Sequence, residues 1–285
     1  MAKVNIILIT YNQEKYIGQA VESILKQKST HDIEVIVADD ASPDRTVSII
    51  EEYASTTPIK FTFLPKGPNL GFIKNYQRAF RACDGDYIAI LEGDDYWTSP
   101  NHIEHHVNFL EEHWECTMSY NRHVRYWVDE HRFEVFDWDS PDNYKYITSQ
   151  RLVLENCIGN FSCCVYRGKL IRELKPELFD LDFADWLIGI IMGQYGFLAY
   201  QKEITSAYRI HAKGQWSHMS GEEQAKKVIK MIDIYDVFLE YKYTKEFTKH
   251  RKRLEICLYG DKSMKGNLKK ITPEFIKNAY RNIFR

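Results

Sequence analysis

The residues best suited to chemistry are the carboxylates of the run Glu92-Gly93-Asp94-Asp95, which closes an apolar stretch. Carboxylates that are adjacent or two residues apart at a strand end can turn toward one ion, and Mg²⁺ and Mn²⁺ favour such oxygen ligands. A cation held there could neutralise the charge that develops on a leaving phosphate group. The alternative is an acidic turn or helix cap ahead of the aromatic pair that follows, which requires no metal.

The elements that must position this run alternate between strand and helix. Apolar β-branched runs predict strands, and apolar residues at i, i+3, i+4 spacing predict helices. The predicted strands are Val4–Ile9, Ile33–Ala38, Ile59–Leu64 and Asp86–Leu91, and the predicted helices between them are Glu14–Lys26, Ser42-Pro43 to Tyr53, and Gly71–Ala82. This alternation predicts an α/β fold with a Rossmann-like, mostly parallel sheet flanked by helices.

Polar clusters follow three of these strands. Thr10-Tyr11-Asn12 follows the first, Asp39-Asp40 the second and the acidic run the fourth. Ligands of such sheets bind at the carboxyl ends of the strands. We therefore expect the three clusters to meet in one site.

After residue 115 the pattern becomes less regular. Two runs around Asp129-Glu130 predict a hairpin. The remaining predicted elements are a helix over 100–113, the hairpin strands Cys116–Val128 and His131–Phe136, a helix over Arg151–Cys157, a strand over Phe161–Tyr166, a helix over Asp182–Gln194, an extended Phe197–Arg209, a loop from His211 to Ser220, a helical Glu222–Tyr259 broken near 242–244, and a last helix over Pro273–Asn282. We predict a catalytic domain over 1–220, with halves 1–115 and 116–220, and a helical extension over 221–285.

Charge is distributed unevenly along the chain. Residues 241–285 contain 13 Lys or Arg and 4 Asp or Glu, a net of +9, so the rest must carry −11 to give the chain's −2. The basic extension is either a solvated helical face or a surface for anionic lipid or an acidic acceptor. We expect no membrane-spanning segment and no nucleic-acid binding, and we expect the six cysteines to be reduced.

Three segments resemble the family 2 glycosyltransferases in order and spacing: Val4–Asn12, Val37–Ser42 with Asp44 and Thr46, and Gly85–Asp95. The resemblance is strong over 3–115, weaker to about 218 and absent beyond. It implies a GT-A fold and an inverting transfer of a sugar from a nucleoside diphosphate sugar, with UDP favoured and Mn²⁺ or Mg²⁺ as cofactor.

The resemblance also assigns residues in the first half. Thr10, Tyr11 and Asp40 would hold the nucleobase and ribose, with Asn12 beside them and Asp39 supporting the turn. Lys74 and Asn75, after an Asn-x-Gly element at 69–71, match positions that face the diphosphate, although Lys74 fits an ordinary helix lysine equally well. The family often has Asp where this chain has Glu92, so Asp94 and Asp95 are favoured over Glu92 as metal ligands, with Asp94 also contacting the nucleotide.

The second half supplies the predicted base and lid. Asp182-Phe183-Ala184-Asp185-Trp186 resembles the family's acidic motif, with Asp185 as the catalytic base and Ala184 where an acidic residue is frequent. The alternative is that Asp182 or Asp185 caps the following helix, a position at which we expect a lowered carboxyl pKa.

The run Tyr208–Ser217 resembles the family's lid segment, so Arg209 and His211 would contact the diphosphate or the metal shell and Trp216 would cover the sugar. By contrast, His102, His105 and His106 are predicted to lie on a plain helix surface.

Two other functions fit parts of the pattern. A catalytically silent sugar-nucleotide-binding scaffold would use the same fold, and a sugar nucleotidyltransferase would need a Gly-rich phosphate loop that is missing after the first strand. For a transferase, the acceptor would be a saccharide, glycolipid or protein. The resemblance suggests a cytoplasmic bacterial enzyme of surface polysaccharide or glycolipid synthesis, with peripheral contact to the inner face of the plasma membrane through the basic helices.

Overall fold

A computed structural model describes residues 1–182 and 185–260. Within these residues a mixed sheet of ten strands has the order β3-β2-β1-β4-β9-β6-β10-β5, with β7 beside β6 and β8 beside β10. The strands are Lys3–Thr10 (β1), Asp32–Asp39 (β2), Lys60–Phe63 (β3), Tyr87–Glu92 (β4), Tyr96–Trp97 (β5), Cys116–Trp127 (β6), Arg132–Glu134 (β7), Tyr144–Ile147 (β8), Cys164–Arg167 (β9) and Phe197–Ile210 (β10).

Helices cover both faces of this sheet. They are Ile17–Leu25 (α1), Thr46–Ala54 (α2), Phe72–Ala82 (α3), His102–Glu112 (α4), Ser149–Leu154 (α5), Gly168–Arg172 (α6), Asp185–Met192 (α7), Gly221–Phe238 (α8) and Thr244–Tyr259 (α9), with 3-10 turns at Phe161–Cys163 and Pro176–Asp180. β1 shows why its apolar run is unbroken. Ile7 and Ile9 belong to one buried cluster, whereas Ile6 and Leu8 belong to the other. A strand buried on both faces is apolar throughout.

Strand direction divides the sheet into two parts. β1 pairs in parallel with β2 and β4, and β2 pairs in parallel with β3. β9 runs antiparallel to both β4 and β6 and so joins the first part to the parallel pair β6 and β10. The carboxyl ends of β1, β2 and β4 therefore lie at one edge, as predicted.

The segment from 221 to 259 is helical with a break near the predicted position, and its helices α8 and α9 pack onto the preceding part of the chain. Trp186 of α7 is buried against Tyr235 of α8 and against Phe247 and His250 of α9. The helices separate at Glu240 and Tyr241, whose φ angles of 54° and 61° are left-handed. The predicted last helix, Pro273–Asn282, lies outside the described residues, as do Phe183 and Ala184.

Several local predictions are wrong. α2 begins at Thr46 rather than at Ser42-Pro43, because Asp44 accepts the Thr46 backbone N–H and so stabilises the turn ahead of the helix. The predicted strand over 161–166 begins as a 3-10 turn, and the short strands β5 and β8 were not predicted.

The histidines of α4 are a further correction. His102 and His106 are fully buried, not on the surface. His102 stacks on Trp97 and bonds Thr205, and His106 bonds Ser119 and Asn121, so both anchor α4 to the sheet. Burial lowers the pKa of His106 to about 3, which keeps the ring neutral.

Two expectations from composition can be compared with the structure. All six cysteines are free. Within the described ranges, no helix combines the length and apolar character needed to cross a bilayer.

Candidate active site

Among the described residues, a large cleft of about 1970 Å³ opens at the carboxyl ends of the central strands. Its walls come from both halves of the sheet and from the loop before α8. Of the predicted site residues, the cleft is lined by Thr10, Tyr11, Asn12, Asp40, Asn75, Glu92, Asp94, Asp185, Arg209, His211 and Trp216. Asp39, Lys74 and Asp95 are absent from that lining. A cleft of this size has room for two ligands side by side.

The turn after β1 is held by its own polar side chains. Thr10 is buried and its hydroxyl donates to Gln13 Oε1 at 2.7 Å. Asn12 has a left-handed φ of 56°, and its backbone N–H donates to Ser42 Oγ. Asparagine tolerates this conformation better than most residues. The turn leaves the Tyr11 ring 48% exposed at the cleft, where a planar base could stack on it.

The two aspartates after β2 organise the loops beside it. Asp39 accepts the backbone N–H and the hydroxyl of Ser42, which agrees with a role in supporting the turn. Asp40 is buried and accepts the backbone N–H groups of Leu70 and Gly71 at 2.8 and 2.9 Å. A carboxylate has about four lone pairs, so Asp40 retains the capacity to accept another donor from the cleft.

The two predicted residues of α3 differ in position. Asn75 is buried at the cleft wall, where its amide donates to the Ala38 carbonyl and accepts from Arg78. Lys74 instead points away from the cleft lining and pairs with Asp180 at 2.7 Å on the surface. The structure therefore does not bring Lys74 into the site, and the ordinary helix-lysine interpretation describes its position.

Asp95 is the most constrained carboxylate of the site. It is buried and accepts hydrogen bonds from Asn160 Nδ2 and Ser162 Oγ, both at 2.6 Å, and from the Arg209 backbone N–H at 2.9 Å. Ser162 also accepts the Glu92 backbone N–H. The oxygens of Asp95 are thus directed at protein donors rather than at the cleft.

Asp94 faces the cleft and is far less engaged. Its Oδ2 lies 3.1 Å from His211 Nε2, and its side chain is 22% exposed. His211 in turn packs against the Tyr16 ring, with the ring centroids 5.0 Å apart. Asp94 and His211 therefore form an adjacent carboxylate and imidazole, which suits a divalent cation that keeps further positions for other ligands.

Arg209 fills the space behind this pair. Its guanidinium donates to the Asp94 carbonyl and to Gln19, and it lies over the rings of Tyr16 and Tyr96 at 5.2 and 4.5 Å. Burial lowers its pKa, although an arginine stays protonated at any physiological pH. The residue supplies a fixed positive charge beside the carboxylates of Asp94 and Asp95.

Two carboxylates of this corner, Glu92 and Asp95, have a raised pKa. Glu92 is held well above its usual pKa by burial and by the charges of Asp95, Asp94 and Asp185. Burial and the charge of Asp94 likewise raise the pKa of Asp95, against the effect of its hydrogen bonds. Such a corner has an unfavourable excess of negative charge, which a divalent cation would relieve.

The residues present fit a metal only in part. In the portion of the chain described here, no three His, Cys, Asp or Glu side chains are arranged so that they could hold a metal by themselves. A magnesium or manganese ion bound by one or two protein ligands, with phosphate oxygens and water as the rest, needs no such trio. Asp94 with His211 meets that smaller requirement.

Asp185 begins α7 and lies at the cleft wall. Its Oδ1 accepts from Asn156 Nδ2 and from the Trp186 backbone N–H at 3.3 and 2.7 Å. The expected lowering of its pKa by the helix terminus is wrong, because burial dominates and raises the pKa to about 6. Hydrogen bonding to Oδ1 leaves Oδ2 for a ligand. A carboxyl with this pKa can exchange protons near neutral pH.

The loop between β10 and α8 lies across the cleft mouth. Residues 211–217 line the cleft, and the Trp216 ring is half-buried with Lys227 Nζ 5.9 Å from its centre. A capping box formed by Ser220 and Glu223 fixes the start of α8 directly after the loop.

Sequence reasoning missed residues that act through these side chains. Asn160 and Ser162 orient Asp95, Asn156 orients Asp185, and Gln13 holds Thr10. Asn160 is 65 residues away from its partner in sequence, and no local pattern marks it. Gln13 alone was adjacent to a predicted cluster.

Comparison with known proteins gives the family context. Residues 5–175, more than half of the chain, match the family model described as Glycosyl transferase family 2. An uncharacterized protein of Mycobacterium bovis is 31% identical over 215 residues, which cover 74% of this chain and 60% of that protein. The chain thus spans less than two thirds of that relative's length.

Two solved structures share the fold. The S. aureus TarS structure of residues 1–349 in complex with UDP-GlcNAc has a TM-score of 0.64 at 20% identity and covers 99% of this chain and 80% of its own. The mannosyltransferase PcManGT from Pyrobaculum calidifontis, in complex with GDP-Man and Mn²⁺, has a TM-score of 0.66 at 15% identity. The match covers 98% of this chain and 73% of the PcManGT chain. Both similarities confirm the predicted α/β architecture.

The different environments of Asp94 and Asp95 predict different effects of the same substitution. Asp95→Asn places an N–H₂ group against existing donors in a buried site and should lower the free energy of unfolding by about 1–3 kcal/mol. Asp94→Asn, at the open cleft, should change it by less than about 0.5 kcal/mol. Urea denaturation of both variants measures the difference, and equal stabilities would contradict the distinct roles described above.

Proposed function

Because the chain belongs to glycosyl transferase family 2, we propose that it transfers a sugar from a nucleoside diphosphate sugar to an acceptor hydroxyl with inversion at the anomeric carbon. One observation carries the proposal. One cleft is lined by Tyr11 and Asp40, by Asp94 and by the buried Asp185. These are the separate parts that such a reaction needs: a binding site for the nucleotide, charge stabilisation for the leaving group, and a base.

The nucleotide half of the site favours UDP. The exposed Tyr11 ring offers a stacking surface, and Asp40 offers a carboxylate acceptor for a ring N–H such as that of uracil. Thr10 and Asn12 shape the turn beside them. Asn75 and Asp39 contribute indirectly: Asn75 holds the end of β2 through the Ala38 carbonyl, and Asp39 holds the turn at Ser42. The selectivity rests on hydrogen-bond geometry that exists before the ligand arrives.

The diphosphate would lie at the corner formed by Asp94 and His211. Asp94 would hold Mn²⁺ or Mg²⁺ with His211 beside it, and Asp95 would position this loop rather than bind the ion. The ion would neutralise the negative charge of the departing diphosphate. Glu92 faces the same part of the cleft, and Arg209 fixes the loop through the Asp94 carbonyl.

Asp185 is the proposed base. Its Oδ2 takes the proton of the acceptor hydroxyl as that oxygen bonds to the anomeric carbon, and the bond from this carbon to the diphosphate oxygen breaks on the opposite face. Asn156 and the Trp186 N–H hold Oδ1, so the carboxylate keeps one orientation. Trp216 on the loop over the cleft would exclude water from the sugar.

The other two functions have less support. A silent scaffold would be expected to lack a metal carboxylate or the base, but Asp94 and Asp185 both line the cleft. A nucleotidyltransferase would need a Gly-rich loop after β1, and this chain has the Thr10–Gln13 turn there. Pyrophosphate release from UTP and a sugar phosphate would favour that alternative.

We further propose that the acceptor belongs to a bacterial surface polysaccharide or glycolipid and that α9 touches an anionic membrane surface. Lys245, Lys249 and Lys252 are exposed at i, i+4 and i+7, on one side of α9. None of the three has an ion-pair partner among the residues described, whereas Arg251 pairs with Asp233. A row of unpaired lysines favours contact with anionic headgroups.

Donor turnover tests the proposed function. With Mn²⁺ present, the protein should slowly hydrolyse a UDP-sugar, and EDTA should abolish the reaction because charge on the diphosphate is then left uncompensated. A panel of UDP- and GDP-sugars assayed for released nucleotide identifies the base and the sugar together. The absence of nucleotide binding and of hydrolysis across the panel would refute the proposal.

Asp185→Asn separates the base from the binding site. Because a general base contributes about 10²–10⁴-fold, transfer should fall by that factor while the Kd for UDP stays within about twofold. The matched control is Asp182→Asn, whose carboxylate is exposed and pairs with Lys227 at the cleft edge. Unchanged turnover in Asp185→Asn would remove Asp185 from the mechanism.

The pH profile provides a control on the same residue. The active form is the ionised carboxylate, which predominates above a pKa of about 6. In the wild type, kcat/KM should therefore fall about tenfold per pH unit below pH 6. This limb should be missing from the residual activity of Asp185→Asn, and its persistence would assign the titration to another group.

A membrane assay tests the lysine row. Replacing Lys245, Lys249 and Lys252 with Gln should reduce sedimentation with vesicles containing phosphatidylserine by about tenfold or more, since each lysine contributes about 1 kcal/mol. The matched control replaces the exposed Lys28, Lys66 and Lys202, which lie elsewhere on the protein. Equal losses in both triple variants would show non-specific attraction rather than docking through α9.

A further inference from the structure

The cleft wall that contains β6 has a half-buried cation without a hydrogen-bond partner among the described residues. Arg125 on β6 lines the cleft, yet its guanidinium has no hydrogen bond and no ion pair with any residue in 1–182 or 185–260. Its Nε is fully buried. Two neighbouring arginines do have partners: Arg122, also on β6, donates from its Nη2 to the Phe136 carbonyl although its Nε has no partner among the described residues, and Arg132 on β7 pairs with Glu130. Arg125 is the exception among these three.

The contacts that Arg125 does make leave its donors free. Its guanidinium lies over the Phe136 ring at 4.3 Å, a contact that uses the positive charge but not the N–H groups. Glu134 is opposite Arg125 in the β6–β7 pairing and is the nearest anion to influence it. That carboxylate accepts from Trp127 and lies 3.9 Å from Arg132. A guanidinium so placed carries a cost that a ligand anion would remove.

A second unpartnered group lies beside it. His123 precedes Arg125 by two residues on β6, and both line the cleft. Its Nε2 is buried with no partner within the described chain, and burial lowers its pKa to about 3. The ring is therefore neutral, and its Nε2 donates a hydrogen bond without adding charge in the tautomer that carries the proton on that nitrogen. The Arg125 guanidinium and the neutral His123 imidazole lie on the same strand face, where both can donate hydrogen bonds to one oxyanion.

The neighbouring wall suits a sugar. Tyr200 stacks on Tyr120, and Trp138 packs against Tyr200 with ring centroids 5.2 Å apart. Tyr200, Trp138 and Phe136 line the cleft next to Arg125. Aromatic walls with a few fixed polar groups are the usual form of sites for small organic ligands. His123 and Arg125 are on β6, whereas the residues proposed to bind the nucleotide follow β1 and β2.

We propose that Arg125 and His123 form an anion subsite that recognises a phosphate or carboxylate group on the acceptor, so that the preferred acceptor is an anionic saccharide. This inference rests on the proposed glycosyltransferase function, because it assigns a chemical class to the second substrate. Arg125 is a specificity-determining residue here, with no part in the bond-making step.

Binding of inorganic phosphate to the full chain tests the subsite. The titration is done by calorimetry with UDP and Mg²⁺ saturating, so that phosphate cannot occupy the diphosphate position. Arg125→Gln should weaken phosphate binding at least tenfold. Arg125→Lys should weaken it less, because lysine keeps the positive charge but not the bidentate N–H donors of the guanidinium. Arg132→Gln is the matched control, since it removes a paired cation from the same wall, and it should bind phosphate like the wild type.

Acceptor preference gives a second measurement. In transfer assays, a phosphorylated saccharide should be preferred over its neutral counterpart by the wild type, and Arg125→Gln should reduce this preference through KM with little change in kcat. A purely structural arginine would lower the melting temperature of Arg125→Gln without altering the preference. Phosphate binding that is equal in wild type, Arg125→Gln and Arg125→Lys would overturn the proposal.

Two further outcomes separate the possible sources of failure. If Arg125→Gln raises the Kd for UDP itself, the anion is the donor's diphosphate and the acceptor subsite is refuted. If the wild type binds and hydrolyses a UDP-sugar but phosphate binding does not depend on Arg125, only the subsite fails. If the wild type does not bind nucleotide, the proposed function is refuted. The subsite is then tested independently by titrating phosphate into the wild type and Arg125→Gln without nucleotide.

Discussion

The site depends on one buried carboxylate. Asp95 accepts hydrogen bonds from Asn160, from Ser162 and from the backbone of Arg209, and these donors come from two separate segments of the second half of the chain. Through them the loop after β4 is tied to the turn before β9 and to β10. Since β9 is the strand that joins the two parallel parts of the sheet, Asp95 fixes one part of the sheet against the other.

This arrangement has an electrostatic cost. Glu92 and Asp95 are buried close to Asp94, and each has a raised pKa because the charges repel and water is excluded. The charge of Asp185 also raises the pKa of Glu92. A bound cation would offset part of this repulsion, and groups with perturbed pKa values are common at functional sites. Arg209 relieves part of the repulsion while leaving Asp94 open to the cleft.

Local sequence patterns predicted the first half well. β1 is buried on both faces and has an unbroken apolar run, and the polar residues after it fall in the cleft as expected. Patterns failed where tertiary contacts decide the outcome. His102 and His106 look like a polar helix face but are buried, and there they form hydrogen bonds with Thr205, Ser119 and Asn121 of the sheet. Lys74 matched a family position, yet it pairs with Asp180, which is 106 residues away. Nothing in the local sequence encodes either result.

The distribution of unpaired polar groups distinguishes the two halves of the cleft. In the half proposed to bind the nucleotide, Thr10, Asp40 and Asn75 all have partners within the protein, so this part is organised before any ligand binds. In the second half, His123 Nε2, Arg125 Nε and Asn160 Oδ1 are buried without partners in the described structure. Buried polar atoms are rarely left unsatisfied unless a ligand, ion or water completes them. The side that we propose binds the nucleotide is therefore completed by the protein itself, whereas the side that we propose binds the acceptor has polar atoms that a ligand would complete.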